Sequence, residues 1–507
     1  MAWNYDTSYE RVEKHLAGMG EIEIEPLVRE MNLDNLSETK CRQVCGAHVY
    51  AEIRNLAALI SAMTDKADRQ AIVQATHVYQ REVARIADAV GAVRIHFQGG
   101  RVHLLVYRPI RDGEEIAIKA FLAQLILDRF GVEFSDEFAD LPDLRIRSGA
   151  DLGEAIGTRN GSTGDRELLF LGSPANHAAK LLNAGADRRL TENLKVELPD
   201  DLADFIEVDP AGGYKLKRPS AAELQELLDD HGIDWAPEAA RQRIIDDHEA
   251  YPTSDVGLSG ATVKIDFDAL SFSNSKLVEA ATLYGDVSGF TAYIDGTATV
   301  EDQREALRAF HAIRREMAAV VKTDFEGIRV QFQGDRVQAL FHLPADDTTG
   351  FNTEAVSAAV GLQSSFEGVL KEQLPEIARL GIAVGVSQGT TVATKLGERG
   401  HRDRICLGAD VLHAEHNEER VDRGEIGISA NVRDNLEEDL AKHFEWRAAS
   451  NCYVATGLDQ NKLDLAEAAR GYAVGKSAYV TQTSAGPTIS TRPDQGREVK
   501  LAPSWSR

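Results

Sequence analysis

The sequence predicts an α+β fold built twice in tandem, and three observations predict it. Residues 93–102 (Val-Arg-Ile-His-Phe-Gln-Gly-Gly-Arg-Val) recur nearly unchanged at 328–337 (Ile-Arg-Val-Gln-Phe-Gln-Gly-Asp-Arg-Val). Each of these runs follows a helix-periodic stretch and precedes another, so the surrounding order repeats as well as the words. Each half then reaches a Leu-Gly step that opens a helix: Leu171-Gly172 in the first, Leu407-Gly408 in the second. The common order is strand, helices, strand hairpin, helix, strand, strand, helix. That mixture suits a sheet with helices on one face, an α+β sandwich rather than a doubly wound parallel sheet.

Taken in order, residues 1–37 read as a helical extension packing on the first copy. Residues 38–200 form copy one, with helices expected over 66–90 and 114–129 and a strand over 144–149. Residues 201–275 form a linker, whose two helical patterns within 221–249 break near Gly232 and Pro237. Copy two spans 276–460. A strand there ends near Tyr284, a helix covers 299–321, two strands (327–331 and 337–343) make a hairpin, and a helix over 354–372 leads to a strand over 378–386. The remainder, 461–507, is rich in Ser, Thr, Pro and Gly from Ser477 and is expected to be partly flexible.

Composition excludes several classes. With 81 Asp and Glu against 56 Lys and Arg, the net charge of −25 repels nucleic-acid backbones, so no nucleic-acid partner is expected. No apolar run reaches the ~20 residues of a membrane span, and the first ten residues lack a signal-peptide pattern. Cys41, Cys45, Cys406 and Cys452 do not complete a zinc pattern and fit free thiols in a reducing compartment, so a cytoplasmic protein is expected.

Chemistry concentrates at two turns of copy two. Tyr284-Gly-Asp-Val-Ser-Gly-Phe-Thr291 places Asp286 at a strand end before a small-residue turn, and Gly334-Asp335 places a second acid in the hairpin turn. Two carboxylates beside a turn rich in free backbone N–H groups can hold divalent metal over a triphosphate. Copy one has Gly100 where copy two has Asp335, and the counterpart of Asp286 is expected near Ala47 or His48, with no acid. On the late helix the loss runs the other way: copy one carries Asn176 and Lys180, one turn apart, where copy two carries Leu412 and His416. Each copy thus lacks what the other keeps, which predicts one composite site between them and a dead mirror site.

These motifs resemble the class III nucleotidyl cyclases, the family of adenylate and guanylate cyclases. The resemblance implies two ferredoxin-like sandwich domains paired within the chain as a pseudo-heterodimer, active as a monomer or a higher oligomer. It implies a nucleoside triphosphate substrate and two Mg²⁺ or Mn²⁺ ions held by Asp286, Asp335 and the Val287 carbonyl. Triphosphate contacts would come from Ser288, Gly289, Phe290 and Thr291, with Arg399 near the family's phosphate-binding Arg. Asn176 and Lys180 would act on the ribose and α-phosphate, Lys180 standing where the family has Arg. Lys215 and Lys217 could add a phosphate contact or be solvated surface lysines.

The family reads adenine with Lys and Asp, or guanine with Glu and Cys, at places held here by His96 and Leu169. Neither purine code is present. The pattern is most similar to the pyrimidine cyclases of the Pycsar antiphage system. That resemblance implies cyclic UMP or cyclic CMP as product, acting through a separate cyclic-nucleotide-responsive effector, with UTP favoured. The alternatives are an adenylate cyclase with a divergent pocket and a catalytically silent nucleotide-binding pseudo-cyclase.

Overall fold

The computed structural model describes residues 3–160, 167–183, 187–210, 212–398 and 401–463. Two sheets, each of nine strands among those residues, have the same topology. In the first the order is Val93–Gln98, Arg101–Val106, Lys40–Ile53, Ile146–Asn160, Arg188–Leu190, Tyr214–Leu216, Ile206–Val208; in the second it is Ile328–Gln333, Arg336–Phe341, Ser275–Ser288, Gly381–Glu398, Glu425–Ile428, Cys452–Thr456, Glu445–Arg447. Glu23–Pro26 adds in parallel to the first sheet and Leu258–Ser259 to the second. The α+β tandem therefore stands, and its repeat extends to strand order.

The expected hairpins and helices are present, with differences that have physical causes. The strands expected over 144–149 and 378–386 run on as Ile146–Asn160 and Gly381–Glu398, because Glu167–Leu171 and His401–Leu407 pair back along them as antiparallel arms. The helix expected over 114–129 continues as Gly113–Glu137, since Phe130 and Phe134 extend its buried stripe. The first sheet includes Ile206–Val208 and Tyr214–Leu216, beyond residue 200. In the following stretch, Ala221–Asp230 and Pro237–Ala250 are helices, broken at Gly232 and Pro237 as expected. Beyond Lys462 and Leu463, the expected C-terminal tail lies outside the described residues.

One expectation is reversed. The N-terminal helix Tyr5–Gly18 packs on copy two, not on copy one. Arg11 forks onto Glu316 and Asp324, and the Ser8 hydroxyl donates to Glu316 at 2.7 Å. Glu316 is buried and needs those donors, which fixes where the helix docks. Residues 27–36 do cover copy one: Leu27, Leu33 and Leu36 pack with Val44, Leu105 and Tyr107.

The two copies share one core. Val392, Leu396, Ile405 and Leu407 of copy two belong to the same buried cluster as Ile72, Val73 and Tyr79 of copy one. Contacts across this interface come in related pairs. Arg94 pairs with Asp403 and Arg329 with Glu167. His77 accepts the Gly397 N–H, while His311 meets Thr158 and Asn160. All four cysteines are free thiols, and no helix among the described residues is long and apolar enough to cross a membrane.

Candidate active site

Alternation along Ser275–Ser288 puts Tyr284 and Asp286 on one face of the second sheet. Gly285 pairs with Val337, so the next step of the ladder brings Asp286 level with Arg336, beside Asp335 in the hairpin turn. Gly334 makes that turn at φ +70°, a left-handed conformation that glycine adopts without strain. Gly289, at φ +87°, turns the chain from the strand into the short helix Phe290–Asp295. The N–H groups of its first turn have no partner within the helix, so the segment 288–291 offers donors at the end of the acid-bearing strand.

The two acids strain against each other. Burial raises the Asp335 carboxyl well above its ordinary range and the charge of Asp286 raises it further. Burial likewise raises Asp286, opposed by Arg336 and the Val287 backbone N–H. Arg336 cannot neutralise both, because it is already held by Glu418 at 3.0 Å and by Glu415 at 2.5 Å and lies over the Tyr284 ring. Glu418 itself is pushed up to about 8, by burial against the pull of Arg336 and with Asp286 adding to the rise. An excess of partly buried negative charge beside open backbone donors fits divalent cations. Among the described residues no three His, Cys, Asp or Glu side chains form a metal cluster, so a carbonyl and the substrate would have to complete the coordination of the two acids.

The expected partners come from copy one. Asn176 and Lys180 lie one turn apart on Ser173–Leu181, and this helix packs against Phe290–Asp295, the helix that follows Asp286. Asn176 is half-buried and Lys180 exposed. Gly172 allows the helix to start close to the sheet: a Cβ there would stand 3.0 Å from Ala155 Cα and Glu154 O. Lys215 and Lys217 are both turned to Glu207, at 2.9 and 3.7 Å. Arg399 lies outside the described residues.

His96 and Leu169 line one cavity of about 470 Å³ between the copies, whose other walls include Gln331 and Phe332 of copy two. Burial lowers the His96 pKa to about 4, with Arg314, Arg94 and Arg101 adding to the fall and Glu167 opposing it. The imidazole is therefore neutral at ordinary pH. Its Nε2 meets the Gln98 side-chain amide N–H, so Nε2 accepts and Nδ1 carries the proton.

The mirror position corrects one expectation. Glu52 pairs with Arg101, the counterpart of Arg336, so the residue equivalent to Asp286 is Glu52 rather than Ala47 or His48. Copy one therefore keeps one acid and loses only the second, at Gly100. Glu52 is closed off by Arg101, at 2.7 Å, and by Arg147. The space between Gly99, Gly100 and Leu412 narrows to a cavity of about 70 Å³. Sequence reading misses this acid because it sets the strand out of register. The Glu52–Arg101 ladder pair is the signal available, since Arg101 and Arg336 are both in the repeat.

Two like sheets packed into one core, with acids at a strand end and hairpin of one and a polar helix of the other against the helix that follows that strand, fit a nucleotidyl cyclase pseudo-dimer of class III. Relatives agree. A uridylate cyclase from Pseudomonas aeruginosa is 32% identical over 433 residues, 82% of each chain, and one from a Rhizobium species is 30% identical over 390 residues, 71% of this chain and 72% of the relative. A crystal structure of a class III adenylyl cyclase-like ATP-binding protein from Pseudomonas aeruginosa matches with a TM-score of 0.79 and 30% identity, covering 92% of this chain and 99% of that one. No family model matches the chain. The chain belongs to the class III nucleotidyl cyclase family and, within it, is a relative of the uridylate cyclases.

Proposed function

We propose that this enzyme converts a pyrimidine nucleoside triphosphate, UTP, into its 3′,5′-cyclic nucleotide and pyrophosphate at a single site shared by the two copies. The observation that carries the reading is the packing of the Asn176/Lys180 helix of copy one against the helix that follows Asp286 in copy two. Asp286, Asp335 and the Val287 carbonyl would hold two divalent ions, Mg²⁺ or Mn²⁺, which when bound acidify the ribose 3′-hydroxyl and offset the charge of the triphosphate. Ser288 and the N–H groups of Gly289, Phe290 and Thr291 receive the β- and γ-phosphates, and Arg399 is assigned to the same phosphates. Asn176 orients the ribose, and Lys180 offsets charge growing on the α-phosphate. The 3′-hydroxyl releases its proton to solvent, its oxygen bonds to the α-phosphorus as the bond to the bridging oxygen breaks, and pyrophosphate leaves.

His96 supports uracil. With Nε2 occupied by Gln98, its remaining polar atom is a donor, which suits a carbonyl oxygen and not the exocyclic amine of cytosine or adenine. Leu169 supplies an apolar wall. The two uridylate cyclase relatives point the same way. The solved neighbour, an ATP-binding protein, favours a second reading, cyclic AMP formation. Incubating the protein with each of the four nucleoside triphosphates and Mn²⁺ and identifying the products separates the two: cyclic UMP is expected, and cyclic AMP as the sole product would overturn the assignment. As in the antiphage systems whose cyclases this sequence resembles, the product would act in the cytoplasm on a separate effector.

A further inference from the structure

Arg314 is among the largest fully buried side chains of the molecule, and it sits between the halves of the site. Its Nη1 donates to the Gly334 carbonyl at 2.6 Å, in the turn that carries Asp335. Its Nη2 is paired with Glu167 of copy one, and its guanidinium lies 4.0 Å from the centre of the Phe332 ring. Glu167 spends its other oxygen on Arg329, 2.8 Å away at the start of the same hairpin. Glu167 also begins the strand Glu167–Leu171, which carries Leu169 and leads through Gly172 into the helix of Asn176 and Lys180. One carboxylate of copy one is thus bound to both the strand and, through Arg314, the turn of the metal hairpin of copy two.

The mirror side lacks the device. There Arg94 pairs with Asp403, matching Arg329 and Glu167. Three residues along the helix from His77 stands Gln80, as Arg314 stands three from His311, and the Gln80 amide finds no partner among the described residues. The ion pair alone serves both sides of the interface. The added arginine is present only where the catalytic halves meet, and it addresses the backbone beside Asp335. Burying a guanidinium is costly unless it is paired and bonded, so its placement there is not explained by packing alone.

We propose that Arg314, held by Glu167, is a positioning residue: it fixes the Gly334–Asp335 turn of copy two relative to the Leu169–Asn176 segment of copy one, so that metal binding depends on the docking of both copies. This rests on Asp286 and Asp335 being the metal ligands. Groups that orient metal ligands from behind typically change affinity or activity by about 10–100-fold when removed. The test is Mn²⁺ binding to the full chain, read as loss of the free-ion EPR signal, for wild type, Asp335→Asn, Glu167→Gln, Arg314→Met and Asp403→Asn, with kcat and KM measured at saturating Mn²⁺. Glu167→Gln and Arg314→Met are expected to weaken Mn²⁺ binding by ~10-fold or more and to lower kcat. KM should move by less than ~3-fold for Glu167→Gln and Arg314→Met, and Asp403→Asn, which alters the Arg94 pair and the Phe97 N–H contact on the mirror side, should bind Mn²⁺ as wild type does. Should Arg314→Met fail to fold, the nearly isosteric Glu167→Gln decides. Unchanged Mn²⁺ binding by Glu167→Gln, or equal weakening by Asp403→Asn, would overturn the proposal. Unchanged binding by Asp335→Asn would instead overturn the metal assignment beneath it.

Discussion

Asp335→Asn should make the metal-free protein more stable while abolishing its activity. The carboxyl sits in a partly buried turn, raised by burial and by Asp286, and the nearby guanidiniums are engaged elsewhere: Arg336 by Glu415 and Glu418, Arg314 by Glu167. A buried charge left without relief costs about 1–3 kcal/mol, and the amide removes it at nearly the same volume. For a chain of this size that corresponds to a rise in Tm of ~1–3 °C in EDTA at pH 8. Under Mn²⁺ at ~1,000 times the wild-type Kd the order should reverse, because that adds about 4.1 kcal/mol to wild type and little to a variant that has lost a ligand. Scanning calorimetry of both proteins, with EDTA and with Mn²⁺, measures all four values, and an NTP assay gives the activity. If the variant melted below wild type in EDTA, yet gained as much from Mn²⁺, the two acids would not be the strained metal pair described above.

Other consequences are as direct. In EDTA, the share of stability carried by Asp286, Asp335 and Glu418, read as wild type minus the matching Asn or Gln variant, should fall as pH rises: all three have folded pKa values above their ordinary ones, so at these sites the native state binds more protons than the unfolded chain. For Glu418 the contribution is complete below 4.5 and is lost as pH climbs through about 8, a window that denaturant melts at pH 5, 7 and 9 would bracket. Glu52→Gln removes the acid that closes the mirror site, and should lower Tm through Arg101 and Arg147 left unpaired while kcat stays within ~2-fold. His96→Ala should narrow the preference for UTP over CTP by about 10-fold or more, read as the ratio of the two kcat/KM values. Arg11→Met leaves the buried Glu316 without its fork and should cost roughly 3–5 kcal/mol in urea unfolding.

The tandem fold is legible in the sequence because the repeat at 93–102 and 328–337 fixes the alignment of the two sheets without any other information. The acids are legible because each stands at a turn where strand periodicity stops. What escapes depends on pairing across space. Glu52 lies in the long apolar strand Lys40–Ile53, where nothing local marks which residue reaches the hairpin turn; only the Glu52–Arg101 ladder contact does. Arg314 looks like any charged residue of an amphipathic helix until the hairpin closes over it and Glu167 arrives from the other copy. The docking of Tyr5–Gly18 is hidden for the same reason: adjacency in sequence favours copy one, whereas the buried Glu316 that receives it lies 305 residues from Arg11. The long arms past residue 149 and residue 386 escape because glycines (Gly153 and Gly157 in one, Gly389 and Gly397 in the other) interrupt the strand pattern.

The central claim is that one site is assembled from both copies and that its mirror is dead. It is tested most directly by the turnover of UTP by Asn176→Ala and by Leu412→Ala, changes at equivalent positions of the two late helices. The composite site predicts a loss of about 100-fold or more for Asn176→Ala, the scale of a lost transition-state donor, and a rate within ~3-fold of wild type for Leu412→Ala. Equal losses, or an Asn176→Ala protein as active as wild type, would contradict it.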